Sequence, residues 1–218
     1  FITLFIALLL AMQPDIGQTL LIFFIWLILI FTSGISMIFL IILFLVLILI
    51  FFYLVFFVPK FVYIKNRLLS FFDTETGTHN FQSDKAIESI ISGGYFGKGI
   101  GEGTLKNRVP EAHTDYIISV ISEEFGVIAI ILILLLFLIF IYSVFKKVYL
   151  ENDERTKLIL VGSISLILMQ AMIHIGVNIR LFPTTGMTLP FISYGGSSII
   201  SISILSGIIL NLTKRKVD

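Results

Sequence analysis

ISMIFLIILFLVLILIFFYLVFFV, residues 35–58, is 24 residues long and carries no charged side chain. A helix rises ~1.5 Å per residue, so about 20 residues cross the ~30 Å hydrocarbon core of a bilayer. The stretch therefore reads as a membrane span. Outward from it the pattern repeats: residues 126–145 are uncharged, and so are residues 181–213. The chain of 218 residues is 57% hydrophobic and 13% charged, where soluble domains carry roughly 25% charged residues. The low-charge runs lack the alternation of a membrane barrel. The fold class expected is all-α, a polytopic transmembrane helical bundle with no separate soluble domain.

Residues 1–12 read as the end of one helix, closed by Gln13-Pro14-Asp15. Complete spans are expected at 16–31, 35–58, 116–145, 158–179 and 191–212, five in all beside the partial first one. Pro59 ends the second of them because proline cannot continue the hydrogen-bond ladder. Pro110 and Thr114 are start signals for the third. The organisation is thus transmembrane helices over 1–58, a large loop over 59–115, and three helices with a basic tail over 116–218. Within the loop, 60–72 suits a helix lying in the membrane interface with Lys60, Lys65 and Arg67 toward headgroups. Residues 73–83 read as polar loop and 84–91 as a short amphipathic helix. The chain opens on Phe1 inside an apolar run, without a basic n-region, and is expected to be part of a longer protein.

Net charge is +1, which gives no reason to expect nucleic acid. With no cysteine, thiol and disulfide chemistry are excluded and the redox compartment is unread. Lys/Arg density favours a cytoplasmic position for the 143–157 turn and the tail, although the 59–115 segment holds more basic residues in total.

Four polar clusters interrupt the apolar runs. The first is Gly93-Gly94-Tyr95-Phe96-Gly97-Lys98-Gly99 with Gly101 and Gly103. It fails as a Walker loop because Lys98 is followed by Gly99, and as a dinucleotide loop because its flanks are helical. A diphosphate held by Lys98, Lys106 and Arg108 remains open beside a plain re-entrant turn. The second is Pro110-Glu111-Ala112-His113-Thr114-Asp115. Asp115 is expected in the first turn of a helix, ionised by the helix dipole, either as a cap or as an acid–base or cation-binding group with Glu111 and His113. Glu123 lies roughly 80° around that helix and Glu124 roughly opposite, so the helix should pack on more than one side.

The third cluster is Gln170, His174 and Asn178, a polar stripe at every fourth residue. Inter-helix hydrogen bonding is its plainer reading, substrate contact the other. The fourth runs from Phe182 to Ser198 and includes Pro190, Ser193, Tyr194, Gly195, Gly196 and Ser197. Irregular backbone at membrane depth needs a protein-lined or wet surrounding. All four flank the spans on one side and are expected to converge on one cavity.

Read in order, Gln13-Pro14-Asp15-Ile16-Gly17-Gln18-Thr19, the Gly93–Gly99 run, Pro110–Asp115, Gln170-Ala171 and Leu189-Pro190-Phe191-Ile192-Ser193-Tyr194-Gly195-Gly196-Ser197-Ser198 resemble the SEDS family of cell-wall polymerases. Asp15–Thr19, Phe72–Gly77 and Gly101–Thr104 look most like its division branch, typified by FtsW, rather than the elongation branch, typified by RodA. His174, Arg180 and Thr185 depart from the family's pattern.

The resemblance implies a fold of about ten helices in the bacterial cytoplasmic (inner) membrane, of which this chain supplies roughly the later six. It places 59–115 outside the cytoplasm. It implies a peptidoglycan glycosyltransferase that polymerises lipid II, with Asp115 as catalytic carboxylate. Candidates for substrate contact are Lys98, Lys106, Arg108, Glu111, His113, Gln170, Pro190, Ser193, Tyr194, Gly195, Gly196 and Ser197. No organic cofactor is expected; a divalent cation, magnesium or manganese, is left open, with Asp115 as its holder. Implied partners are lipid II, a class B penicillin-binding transpeptidase and other divisome membrane proteins. The alternatives are a lipid II flippase, an elongation-branch polymerase, and a scaffold for the transpeptidase.

Overall fold

A computed structural model describes residues 2–13, 15–72, 78–104 and 111–214. The described residues are helical apart from turns and loops. The elements are α1 (Ile2–Met12), α2 (Ile16–Thr32), α3 (Met37–Phe57), a 3-10 turn (Pro59–Phe61), α4 (Val62–Phe72), α5 (Thr78–Gly93), α6 (Ile117–Leu150), α7 (Glu154–Asn178) and α8 (Gly196–Thr213). They fall into two compact units, residues 1–82 and 83–218.

In the first unit α2 packs on α1, and α3 packs on α2 and α4. Asp15 starts α2: its Oδ1 accepts from the Gln18 amide at 3.0 Å, and its carbonyl accepts the Thr19 hydroxyl at 2.6 Å. Uncapped amides at a helix start need such partners. Only Val55 of α3 is buried, as expected of an apolar helix whose solvent is lipid. The 3-10 turn opens at Pro59 and leads into α4, whose Lys65 ammonium stands 5.5 Å from the Phe56 ring centroid, a cation–π distance.

In the second unit α7 lies between α6 and α8. Val144, Leu160, Ile164, Ile167, Ile202 and Ile209 form the shared core of these three helices. At the other end of α7, Ala86, Ala112, Tyr116, Val120 and Val177 join α5 and the 111–116 turn to α6 and α7.

α6 is two helical arms, 117–125 and 127–150, because Gly126 takes φ 79° and ψ 177°. The break frees backbone groups that lipid cannot satisfy. The Gly-rich loop fills it. Lys98 and Gly99 amides donate to the Glu123 and Glu124 carbonyls at 2.9 and 3.1 Å, and Val127 and Ile128 amides donate to the Gly94 and Tyr95 carbonyls at 2.9 and 3.4 Å. Such backbone-to-backbone pairing requires close approach. A Cβ on Gly126 would stand 2.2 Å from the Tyr95 carbonyl oxygen, and one on Gly93 would stand 1.9 Å from that of Ser122.

Several boundaries expected from sequence shift. The span expected at 116–145 starts at Ile117, breaks at Gly126 and continues to Leu150. The span expected at 158–179 starts earlier, at Glu154, because Asp153 caps it through the Thr156 amide at 3.0 Å. The span expected at 191–212 starts only at Gly196, since Ser193 and Tyr194 are engaged elsewhere. The short helix expected at 84–91 extends over Thr78–Gly93. Among the described residues four helices, α3, α6, α7 and α8, are long and apolar enough to cross a membrane, and α2 is a further apolar helix of 17 residues.

Gly126→Ala should markedly lower the thermal midpoint of the purified protein in detergent, since the substitution meets both a positive φ and the Tyr95 carbonyl. Gly207→Ala, in open space inside α8, should instead stabilise by up to about 1 kcal/mol.

Candidate functional site

The site is built on a tight turn before α6. Glu111 sits at φ 55°, a left-handed conformation uncommon for a residue with a Cβ. Its carbonyl accepts from the Thr114 and Asp115 amides at 3.1 and 3.0 Å. The Thr114 hydroxyl lies 3.1 Å from that carbonyl and 3.1 Å from Glu111 Oε2. Three successive carbonyls of the turn are then each taken by a different donor. His113 accepts from the Tyr194 amide at 3.0 Å, Thr114 from the Ser193 hydroxyl at 2.7 Å, and Asp115 from Asn178 Nδ2 at 2.9 Å. Ser193 in turn accepts from the Leu189 amide at 2.8 Å. The turn is thereby fixed to the end of α7 and to the loop before α8.

Asp115 is half-buried, while Glu111 and His113 are exposed. The carboxylate lies beside Gly186, where an added Cβ would stand 3.7 Å from Asp115 Oδ2. Burial and the neighbouring Glu111 charge push the Asp115 carboxyl above its ordinary value, partly offset by the Thr114 hydrogen bond. α6 begins at Ile117 with Tyr116 as its cap residue, so Asp115 stands just ahead of the helix rather than in its first turn as expected. Burial and Asp115 likewise push the Tyr116 hydroxyl up to about 12.

The polar stripe on α7 is buried and spent on the backbone. Gln170 Nε2 donates to the Thr188 carbonyl at 2.9 Å and lies within 3.3 Å of the Thr188 and Ser198 hydroxyls. His174 Nδ1 lies 2.7 Å from the Met187 carbonyl, so that nitrogen carries the proton and Nε2 accepts from Asn178 Nδ2 at 3.3 Å. The hydrogen-bonding reading of the stripe prevails: Gln170 reaches Ser198 of α8, and the other partners are mainly carbonyls of the flanking turn and loop. Pro190 and Ser193 are buried as well, whereas Tyr194, Gly196 and Ser197 are exposed and Gly195 is half-buried. Arg180 pairs with Asp84 of α5 at 2.5 Å.

Glu123 is wholly buried, in line with the expectation that a charge at its depth faces protein or a cavity. Its Oε1 accepts from the Thr104 amide at 2.9 Å and from Lys98 Nζ at 3.1 Å, and its Oε2 lies 3.2 Å from the Ser89 hydroxyl. A buried carboxylate needs such compensation. Lys98, expected to face a diphosphate, therefore has a carboxylate partner inside the protein. Lys106 and Arg108 lie outside the described residues, as do Pro14 and Pro110.

Residues 1–217 match the family model described as the FtsW/RodA/SpoVE cell cycle protein. The chain belongs to the FtsW/RodA/SpoVE family. It is 36% identical over 218 residues to the probable peptidoglycan glycosyltransferase FtsW of Caulobacter vibrioides, covering 99% of this chain and 55% of that protein. Against the protein of the same name from Bacillus subtilis it is 33% identical over 220 residues, covering 97% and 55%. A solved structure described under "Structural coordination of polymerization and crosslinking by a peptidoglycan synthase complex" is similar at TM-score 0.77 and 25% identity, covering 97% of this chain and 59% of that one. The chain spans about half the length of the curated relatives it matches.

Of the four polar clusters expected to converge on one cavity, the 111–115 turn, the α7 stripe and the 182–198 segment are joined by direct hydrogen bonds, while the Gly-rich loop bonds to the break in α6. Sequence reasoning missed the break at Gly126 and the Lys98–Glu123 pair. The available signal was a glycine directly after Glu123-Glu124-Phe125, opposite a loop of glycines.

Glu123→Ala should cost about 3 kcal/mol or more of stability, because it strands Lys98 and the Thr104 amide. Lys98→Met should also destabilise, because it leaves the wholly buried Glu123 carboxylate without its cation. Denaturation of both single variants and the double variant would reveal the coupling as a sub-additive loss.

Proposed function

We propose that the full-length protein is a peptidoglycan glycosyltransferase of the division branch, polymerising lipid II at the outer face of the bacterial cytoplasmic membrane. The observation that carries the proposal is Asp115, a half-buried carboxylate of raised proton affinity on a turn whose Glu111, His113, Thr114 and Asp115 carbonyls are engaged. The names of the FtsW relatives support the same reaction class.

In this reading Asp115 accepts the proton of an acceptor-sugar hydroxyl as that oxygen attacks the anomeric carbon of the donor. The carbon–oxygen bond to the diphosphate breaks, and undecaprenyl diphosphate leaves. A raised carboxyl suits a base better than the strongly acidic group expected from a helix terminus. Exposed Glu111, His113 and Tyr194 flank the carboxylate and are the proposed sugar contacts. Lys106 and Arg108 remain the proposed contacts of the leaving diphosphate. Among the described residues no three acidic or histidine side chains gather into a metal site. A magnesium or manganese ion would have Asp115 and Glu111 and complete its shell from water and diphosphate oxygens. A class B penicillin-binding transpeptidase is the proposed partner, in line with the synthase complex named for the structural neighbour.

Transport of lipid II is the rival reading, and the broken α6 is the observation that favours it, since transporters use discontinuous helices. Against it, the Glu123 and Glu124 carbonyls and the Val127 and Ile128 amides freed at the break are paired with the 94–99 loop rather than left to a substrate.

Asp115→Asn in the full-length protein should abolish glycan polymer from purified lipid II. An acid whose folded pKa is raised is destabilising once ionised, so the variant should melt at or above the parent's temperature at neutral pH. Wild-type polymer from a folded Asp115→Asn protein would overturn the role. Glu111→Gln removes a charge that raises the Asp115 carboxyl. The acid limb of the polymerisation–pH profile should therefore move to lower pH.

A further inference from the structure

Three large apolar side chains of the Gly-rich loop are almost fully uncovered: Tyr95 at 76%, Phe96 at 83% and Ile100 at 79%. Contiguous exposure of this kind marks a surface that something apolar covers. The loop's position says what. It hangs on the break in α6, with the Gly94 and Tyr95 carbonyls accepting from the Val127 and Ile128 amides.

Beyond the break, 127–145 is an uncharged arm closed by Lys146 and Lys147. At ~1.5 Å per residue that arm is about 28 Å long, close to the ~30 Å hydrocarbon thickness. The lysines at one end and the break at the other therefore coincide with the two edges of the hydrocarbon. The exposed patch continues onto α6 through Phe125 and Ile128, so it joins the lipid-facing flank of a spanning helix. A tyrosine and a phenylalanine at that level match the residue chemistry of a membrane interface. Lys98, in the middle of the loop, turns its ammonium inward to Glu123.

We propose that the 94–100 loop is a bilayer anchor, inserting Tyr95, Phe96 and Ile100 at the headgroup–acyl boundary. The loop is bonded to both arms of α6, and Glu123 clasps Lys98 and Thr104. The anchor and the 117–125 arm therefore move as one piece, and lipid contact sets the height of the Asp115 turn. At helical rise the chain from Asp115 to Gly126 spans no more than about 16 Å, which keeps the carboxylate near the headgroup layer. The anchor does not rest on the catalytic reading and stands if that reading fails.

The test uses the full-length protein reconstituted in phosphatidylethanolamine–phosphatidylglycerol vesicles, with any cysteine elsewhere replaced by serine. Phe96→Cys and Ile100→Cys are made separately and labelled with a nitroxide, beside Thr104→Cys as the aqueous reference and Leu132→Cys, on an exposed face of the long arm, as the lipid reference. Collision with oxygen reports lipid and collision with a water-soluble nickel chelate reports water. The labels at 96 and 100 should shift toward oxygen relative to 104 and lie shallower than that at 132. Nickel accessibility equal to that at 104 would overturn the anchor. Protection from both probes would also overturn it, since a protein partner would then cover the patch.

Discussion

A peptide group inside a bilayer must find its hydrogen-bond partner within the protein, and that constraint organises the second unit. α6 departs from helical geometry at Gly126, which frees carbonyls on one arm and amides on the other. The loop from Gly94 to Gly99 supplies the complement to both sets. Each such group left unpaired in lipid costs several kcal/mol, so the break and the loop are stable only together. Glycine is required where their backbones meet, because the separations leave no room for a Cβ.

From this junction the rest follows. Glu123, one turn before the break, is buried by the loop it helps to hold, and it offsets its own burial through Lys98, Thr104 and Ser89. The arm ahead of it ends in the 111–116 turn, whose carbonyls are consumed by Tyr194, Ser193 and Asn178. Asp115 is thus held by its backbone, while its carboxylate stays free of a fixed basic partner among the described contacts. Burial and the like charge of Glu111 then raise its proton affinity, the usual consequence of desolvating a carboxyl beside another.

The polar residues gathered around the 111–116 turn divide into two groups. Gln170, His174, Asn178 and Ser193 are interior fasteners of loop backbone. Glu111, His113, Asp115 and Tyr194 present chemistry outward. Polar type and four-residue spacing mark both groups alike in the sequence, because a buried amide and a substrate-facing amide satisfy the same local rules. Only the identity of the partner distinguishes them, and for the fasteners that partner lies 13 to 79 residues away along the chain.

The sequence by itself determined the membrane class, the order of the helices and the placement of the Asp115 turn, the α7 stripe and the 182–198 segment at one end. These depend on hydropathy, length and local hydrogen bonding, all of which are short-range. It also implied that Glu123 faces protein, since a charge at that depth has no other tolerable surrounding. Tertiary structure alone decided that α6 is broken, that Lys98 serves Glu123, and that Asp115 stands ahead of the helix with burial and Glu111 raising its proton affinity. Each of those depends on which distant backbone or charge comes within a few ångströms, and no local pattern encodes such a distance.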